Sequence, residues 1–439
     1  MVYNHITELI GNTPLLRLDP AVHGLAGVEL YAKLESHNPF GSVKDRVAWA
    51  MIRAEVDRVA AGGQSFIEAS SGNTAKALRV LGALHGIPLR AVTNRIRVGE
   101  VRQLLQLLGT EIVELPGLSE CPDPQAADDV SAVIAQTTGQ APERWFHPSQ
   151  YTNERNIDAH HDGTGTEIAT DLAEAGIDHL DYLIGGLGTT GSTRGTATAL
   201  LARHPALRTI GVVSDRFDFI PGIRSEREMW DVGLFRPDFY DDIVTVDSAA
   251  AIDATLALIH GYGVLAGPTS GAGYAAALRA LATAPRPEDR PLVAVLIVCD
   301  RLEPYLSYIA KRRPELFGKA AGAGAPGPED TAAAPTLTPA ALAELDRTGR
   351  PTVVDTRGAM AYRVGHVPGA LNIRDDQLDE MLAQGMPFPR SRPVVFVCPV
   401  GETSLRFAAL AHRAGYDAYS LAGGIVAWRD AGHPLERGG

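Results

Sequence analysis

Six apolar runs of strand length, Ser65 to Glu68, Pro88 to Val92, Glu111 to Leu115, Tyr182 to Ile184, Thr209 to Val213 and Leu292 to Val298, alternate along the chain with helical patterns. Strands joined by helical crossovers pair in parallel, so this alternation calls for an α/β fold with a largely parallel sheet. It stops at Lys319 to Pro335, a run of Ala, Gly and Pro in which almost no side chain can anchor a core, and which reads as a flexible linker. A shorter unit then repeats the pattern with Thr352 to Asp355, Val394 to Cys398 and Ala418 to Leu421. At about a hundred residues it can hold its own core. The expected organisation is therefore a large domain over 1–318, a linker over 319–335 and a small α/β domain over 336–439.

The 439 residues, 45 % hydrophobic, give room for two or three packed domains. A formal net charge of -12 disfavours a nucleic-acid-binding surface while leaving room for a local basic pocket that takes a small anion. No stretch has the length and purity of a membrane span, and Met1 to His5 lacks a basic-then-apolar signal pattern. The expectation is a cytoplasmic protein with neither nucleic acid nor membrane as partner. Three widely spaced cysteines, Cys121, Cys299 and Cys398, argue against a disulfide framework and against a metal site.

Chemistry is suggested first by Asn38 to Arg46, between the apolar run Val28 to Leu34 and a helical pattern in which Val43, Val47, Ala50, Met51 and Ala54 share one face. Lys44 falls in the first turn, beside unpaired N–H groups and the positive end of the helix dipole, where an ammonium is disfavoured and an amine nucleophile is favoured. Taken alone it is also a solvated lysine in a pattern with Arg46. Glu68 to Thr74 offers hydroxyls, an amide and a helix N-terminus, the donors a carboxylate needs; an N-cap cluster looks the same. Gly186 to Gly191 satisfies GxGxxG after a strand, with Asp215 located 24 residues beyond Gly191, so a dinucleotide fold competes. The following Ser192-Thr193 instead crowds hydroxyl donors round a single anion. His160 and His161 point apart on a helix and lack a ligand set, so they read as structural. Arg224 can clamp a phosphate bidentately or remain a solvated helix arginine. Cys299 follows an apolar strand and reads as inert core edge. Cys398 also ends a strand, but a turn of N–H groups and a helix start face it, which stabilises a thiolate.

Together with Ile6 to Leu18, the Asn38 to Arg46 segment resembles the opening of the cysteine synthase family, fold type II pyridoxal phosphate enzymes in which the cofactor lies between two α/β subdomains. The resemblance implies that Lys44 forms the internal aldimine and then removes the α-proton. It implies that Asn73 bonds the ring hydroxyl and that Ser70, Ser71, Gly72 and Thr74 form the substrate-carboxylate loop. Gln150, within a segment running to Ile168, matches a second carboxylate ligand. Gly188, Thr189, Thr190, Gly191 and Ser192 resemble the phosphate cup, and Ser270 the partner of the pyridine nitrogen. A neutral hydroxyl there tempers the electron sink and suits β-elimination over transamination. Arg224 and Thr190 are similar to residues of the O-phosphoserine sulfhydrylases. The family also implies a homodimer. Phe40, Ser70 in place of threonine, Ala75-Lys76 and Thr190 depart from the common pattern; Phe40 would crowd the loop and Lys76 adds a charge.

After the linker, Val353 to Arg357, Gly365 to Ile373, Cys398 and Leu421 to Trp428 resemble a rhodanese domain. Its loop, Cys398-Pro399-Val400-Gly401-Glu402-Thr403, lacks the family's arginines and carries Glu402, which disfavours the dianion thiosulfate. The implied activity is β-replacement on O-phosphoserine or O-acetylserine to form cysteine through an aminoacrylate, with sulfur carried as a Cys398 persulfide. A linker of roughly seventeen residues spans about 20 to 25 Å on average, enough for one domain to visit the other. A lyase that breaks cysteine, replacement with a non-sulfur nucleophile, and a non-enzymatic sensing or docking protein remain open alternatives.

Overall fold

A computed structural model describes residues 2–94, 96–115, 130–216, 218–225, 228–229, 232–317, 331, 333–384 and 387–438. Most of the expected linker, and Cys121, lie outside the described residues. The chain forms two compact units, one of residues 1–113 and 134–313, the other of residues 314–439 with 114–133.

The first unit contains two sheets. The larger has six strands, β1 (Leu15–Leu18), β2 (Val28–Leu34), β7 (Tyr182–Gly186), β8 (Arg208–Ser214), β9 (Asp242–Val246) and β10 (Leu292–Val298), in the order β1-β2-β10-β7-β8-β9. β2, β10, β7, β8 and β9 run parallel, and only β1 is antiparallel, paired Leu15 to Lys33 through Leu18 to Leu30. Central β10 is Leu-Val-Ala-Val-Leu-Ile-Val and every residue of it is buried, because helices cover both faces of a parallel sheet. The smaller sheet orders β5 (Glu111–Glu114), β4 (Leu89–Thr93), β3 (Ser65–Ala69) and β6 (Trp145–Phe146), with β3 parallel to both neighbours. Its core is Phe66, Leu78, Leu81, Leu89 and the inner face of the Lys44–Ile52 helix. The Phe40 ring packs against this core, so the crowding expected at the loop is absorbed by packing.

The second unit has one sheet, in the order β11 (Thr336–Leu337), β15 (Ala418–Leu421), β14 (Val394–Val397), β12 (Thr352–Asp355) and β13 (Leu371–Asn372), with every pair parallel. Cys398 immediately follows β14, and the Glu402–Arg413 helix starts two residues before the expected Ser404. Among the described residues, no helix is long and apolar enough to cross a membrane.

The Lys44–Ile52 helix departs most from expectation. Asp45, Arg46, Val47, Ala48, Ala50, Met51 and Ile52 are all buried, whereas Ala54 is exposed, so the helix is enclosed on more than one face. Arg46 is tolerated inside because carboxylates grip it. Its Nε donates to Glu35 Oε2 at 2.7 Å and its Nη2 to Glu35 Oε1 at 2.9 Å. Nη1 and Nη2 reach the two oxygens of Glu167 at 2.6 and 2.7 Å, and Lys33 Nζ lies 2.9 Å from Glu167. Buried charges persist only when paired in this way.

Arg46→Ala would strand Glu35, which is wholly buried, and is expected to cost about 3–5 kcal/mol in urea unfolding. Arg46 and Lys33 hold the Glu167 carboxyl at about 2 against its ordinary 4.5. Its folded-state value is depressed, so this stabilisation is complete above pH 4.5 and declines as pH falls toward 2; Glu167→Gln should flatten that part of the stability–pH curve.

Candidate active site

Lys44 is positioned by the segment that leaves β10. Val43 N–H donates to Cys299 O at 2.8 Å, and Ser42 forms an antiparallel bridge with Asp300. Lys44 is half-buried, and its Nζ donates to Thr189 Oγ1 at 3.4 Å. Burial pushes its ammonium below the ordinary lysine value, with Cys299 and Asp300 pulling the other way. The solvated alternative therefore fails: this is a lysine partly prepared to be a neutral amine. Cys299, expected to be inert core edge, neighbours that amine; its thiol is pushed up to about 12 by burial and stays neutral. Asp45 carries a carboxyl raised to about 7 by burial, despite accepting Phe40 N–H at 2.6 Å and Ser42 Oγ at 3.1 Å.

Two loops, 69–74 and 149–150, meet at a carboxylate absent from the expected site. Glu68, at the end of β3 and fully buried, accepts N–H groups from Ser149 at 2.8 Å, Ala69 at 3.1 Å and Gln150 at 3.4 Å. Gln150 Nε2 donates to Ala69 O at 2.6 Å, and Thr74 Oγ1 donates to Gln150 Oε1 at 2.7 Å. Ser70 Oγ accepts the N–H groups of Ala75 at 3.1 Å and Gly72 at 3.4 Å, so it satisfies a first-turn N–H of the Asn73–Leu84 helix, whose N-cap is Gly72, while its proton remains available to donate. Ser71 is exposed, and a Cβ on Gly72 would meet nothing within 4 Å, which leaves space above the loop.

Gly188, Thr189 and Thr190 follow β7 and lead into the Gly191–Leu201 helix, whose first turn has N–H groups without intrahelical acceptors. Thr190 adopts the left-handed conformation, φ 70°, where a β-branched residue is strained. Thr193 Oγ1 steadies the turn by donating to Thr190 O at 3.0 Å, and Tyr240 lies 2.7 Å from the same hydroxyl. Asn156 Nδ2 donates to Thr189 Oγ1 at 2.9 Å, and a Cβ on Gly191 would strike Asn156 Oδ1, a buried oxygen without a hydrogen-bond partner among the described residues. Asp215 comes just after β8, but the hydroxyl-lined turn with Lys44 against it suits one phosphate monoester.

Ser270 lies in the first turn of the Pro268–Thr283 helix and is fully buried. Its Oγ accepts the Cys299 N–H at 2.9 Å, which leaves the hydroxyl proton for a ring nitrogen. Asn73 Nδ2 donates to Asp300 Oδ2 at 2.7 Å. His160 was expected to be merely structural. It begins a π-helical turn, His160–Gly165, with Nδ1 2.9 Å from Thr164 Oγ1, and burial, then Arg46 and Lys44, hold its imidazole neutral. Such turns recur at functional sites.

A family model for pyridoxal-phosphate dependent enzymes matches residues 6–300, and one for the rhodanese-like domain matches residues 338–431. The chain is a pyridoxal-phosphate dependent enzyme. It is 32 % identical over 317 residues to O-ureido-L-serine synthase of Streptomyces lavendulae, covering 70 % of this chain and 92 % of the relative. It is 31 % identical over 306 residues to cysteine synthase B of Pseudomonas aeruginosa, covering 70 % and 96 %. Among solved structures, a hydrogen sulfide-producing enzyme from Fusobacterium nucleatum superposes with a TM-score of 0.61 at 29 % identity, over 70 % of this chain and all of that one. The architecture is that of fold type II enzymes, with a rhodanese-like domain appended.

The residues fit the cofactor. Lys44 would carry it, the 188–192 turn would take its phosphate, and Ser270 and Asn73 would meet its ring. Arg224 lies half-buried at the edge of this group, its guanidinium 4.9 Å over the Tyr151 ring and its N–H donating to Leu187 O at 2.9 Å. In the rhodanese-like domain Cys398 is wholly buried, yet Gly401 N–H and Ser404 Oγ donate to its sulfur at 3.1 and 3.2 Å. Glu68, Asn156, Asp300 and Tyr305 escaped sequence reasoning. The available signal was position: Glu68 and Asp300 stand at carboxyl ends of parallel strands, where α/β folds place their sites.

Lys44→Ala is expected to abolish the visible band that pyridoxal phosphate gives on the protein, with circular dichroism unchanged. With the wild-type lysine that band should form efficiently well below the ordinary lysine value of 10.5.

Proposed function

We propose that the chain replaces the β-substituent of an activated serine, O-phosphoserine or O-acetylserine, with sulfur to form cysteine, and that Cys398 carries the sulfur as a persulfide. The observation that supports this most is the Lys44 amine, depressed by burial and set against the Thr189 hydroxyl of the anion-binding turn. Bound pyridoxal phosphate supplies an electron sink that acidifies the Cα–H of an amino acid. Lys44 Nζ would take that proton as general base. The substrate carboxylate is held by the 70–74 loop with Gln150, and Ser270 donates its hydroxyl proton to the ring nitrogen. The Cys299 thiol, pushed up by burial, stays protonated, and burial makes the His160 imidazole a weak base, so neither competes with Lys44 for the Cα proton.

Arg224 supports a phosphate leaving group because Tyr151, next to Gln150, fixes its plane. Arg224→Ala should therefore lower kcat/KM for O-phosphoserine at least tenfold, about 1.4 kcal/mol, and leave O-acetylserine nearly unaffected. Equal losses with both substrates would assign Arg224 a structural role.

On Cys398, a thiolate held by Gly401 N–H and Ser404 Oγ takes the outer sulfur of a persulfide donor, releasing the donor as a thiol. A thiol reductant then frees that sulfur as sulfide while itself becoming a disulfide. Cys398→Ala should keep synthesis from free sulfide and slow synthesis from a persulfide donor. If both fall equally, the carrier role is wrong.

A second reading is replacement by a non-sulfur nucleophile, favoured by the likeness to O-ureido-L-serine synthase. Product analysis with competing sulfide and hydroxyurea separates the two.

A further inference from the structure

Asp300 sits where three parts of the site meet. Its backbone bridges Ser42, two residues before Lys44, and its carbonyl accepts Gly267 N–H at 3.0 Å, three residues before Ser270. Its side chain turns toward the Asn73 loop. Oδ2 accepts Asn73 Nδ2 at 2.7 Å and the Tyr305 hydroxyl, and Asn73 Nδ2 also lies 3.4 Å from that hydroxyl. Oδ1 is buried with no hydrogen-bond partner among the described residues and rests against Gly267, at a place that a Cβ would occupy. A carboxylate with one oxygen doubly bonded and the other unsatisfied is more than a brace for a loop.

We propose that Asp300, gripped by Tyr305, aims Asn73 at the cofactor and places a negative charge beside Lys44 that keeps the nitrogen joining lysine to cofactor protonated. The proposal rests on the reading that Lys44 carries pyridoxal phosphate. The Asn73 amide donates one N–H to Asp300 at 2.7 Å; the other makes only a long 3.4 Å bond to the Tyr305 hydroxyl and is the one that would turn to the ring hydroxyl. An amide that already donates to an anion is a weaker donor through its second N–H. The ring oxygen therefore retains its electron density, and the proton shared between that oxygen and the lysine nitrogen is held more tightly. The carboxylate's own field acts in the same direction.

The other charged and titratable groups around Asp300 leave it this task. Cys299, adjacent in the chain, is a neutral thiol, and Tyr305 is a phenol whose ionisation burial pushes well above the ordinary value. Lys76, from the Asn73–Leu84 helix, opposes Asp300 and is itself faced by Asp45 and Glu303. Lys44, from its own helix, is faced by His160, which is neutral. Burial raises the Asp300 carboxyl, while Tyr305, Lys76, Asn73 and Lys44 favour its ionised form.

The test is a spectrophotometric pH titration of the visible band of the full-length protein loaded with pyridoxal phosphate, between about pH 6 and 10. Asp300→Asn keeps the shape and removes the charge; its transition should fall by about one pH unit, tenfold in proton affinity. Tyr305→Phe keeps the carboxylate but weakens its ionised form, and should shift the transition the same way by less. A D300N protein that binds cofactor stoichiometrically and titrates with the wild type overturns the proposal. Should D300N fail to hold cofactor, Y305F decides, and an unchanged titration there overturns it equally. A wild-type protein with no visible band at all overturns the Lys44 reading itself, which is a different failure.

Discussion

The guanidinium of Arg46, held between Glu35 and Glu167, is the interaction on which the site depends. It is two residues from Lys44, so the same helical turn that presents the amine is anchored by its neighbour's charge. Glu35 follows β2 and Glu167 opens the Thr166–Glu174 helix, while Thr13 contributes its hydroxyl at 3.2 Å from Arg46. Segments far apart in sequence are thereby fixed to one helix entry. Isolated buried ion pairs contribute little net stability, because desolvation offsets attraction, but they are intolerant of alternative arrangements. That intolerance suits a helix entry that holds Lys44 at a fixed register.

What the sequence made legible was local and repetitive. Continuous apolar runs such as Leu292 to Val298 became β10 with the same bounds, and Thr352 to Asp355 and Ala418 to Leu421 became β12 and β15. Short or polar strands were missed. Leu15–Leu18 contains Arg17, and Asp242–Val246 is an edge strand with a partly exposed face, so neither shows a clean period. Most of the motif residues fall at strand ends or helix starts, where local sequence patterns are informative. Partners reached across long sequence separations were not visible: Asn73 to Asp300 spans 227 positions, and Arg46 to Glu167 spans 121. No periodicity or turn rule carries such pairings. The helix after Lys44 and the burial of Val43, Val47, Ala50 and Met51 were legible, but the burial of Arg46 was not, since a buried Arg46 cannot be told from a solvated one until its carboxylates are seen.

The rhodanese-like domain shows a related tension. Cys398 has no exposed surface, which by itself would describe an inert thiol. Gly401 resolves the tension. Its φ of 93° is open mainly to glycine and turns its N–H back onto the sulfur, while Ser404 relays to Ser420 at 2.8 Å. The sulfur is thus buried among donors rather than among methyl groups, an environment suited to negative charge.

Glu68 has a consequence beyond the contacts it makes. One carboxylate organises the backbone of both loops: Oε2 accepts the Ser149 N–H, while Oε1 accepts those of Gln150 and of its own neighbour Ala69. Ser149 holds a left-handed φ of 62° at that junction. The two loops are therefore a single mechanical part. A displacement of one loop alone would have to work against the other, so this part of the scaffold is more open to change at residues outside the pair.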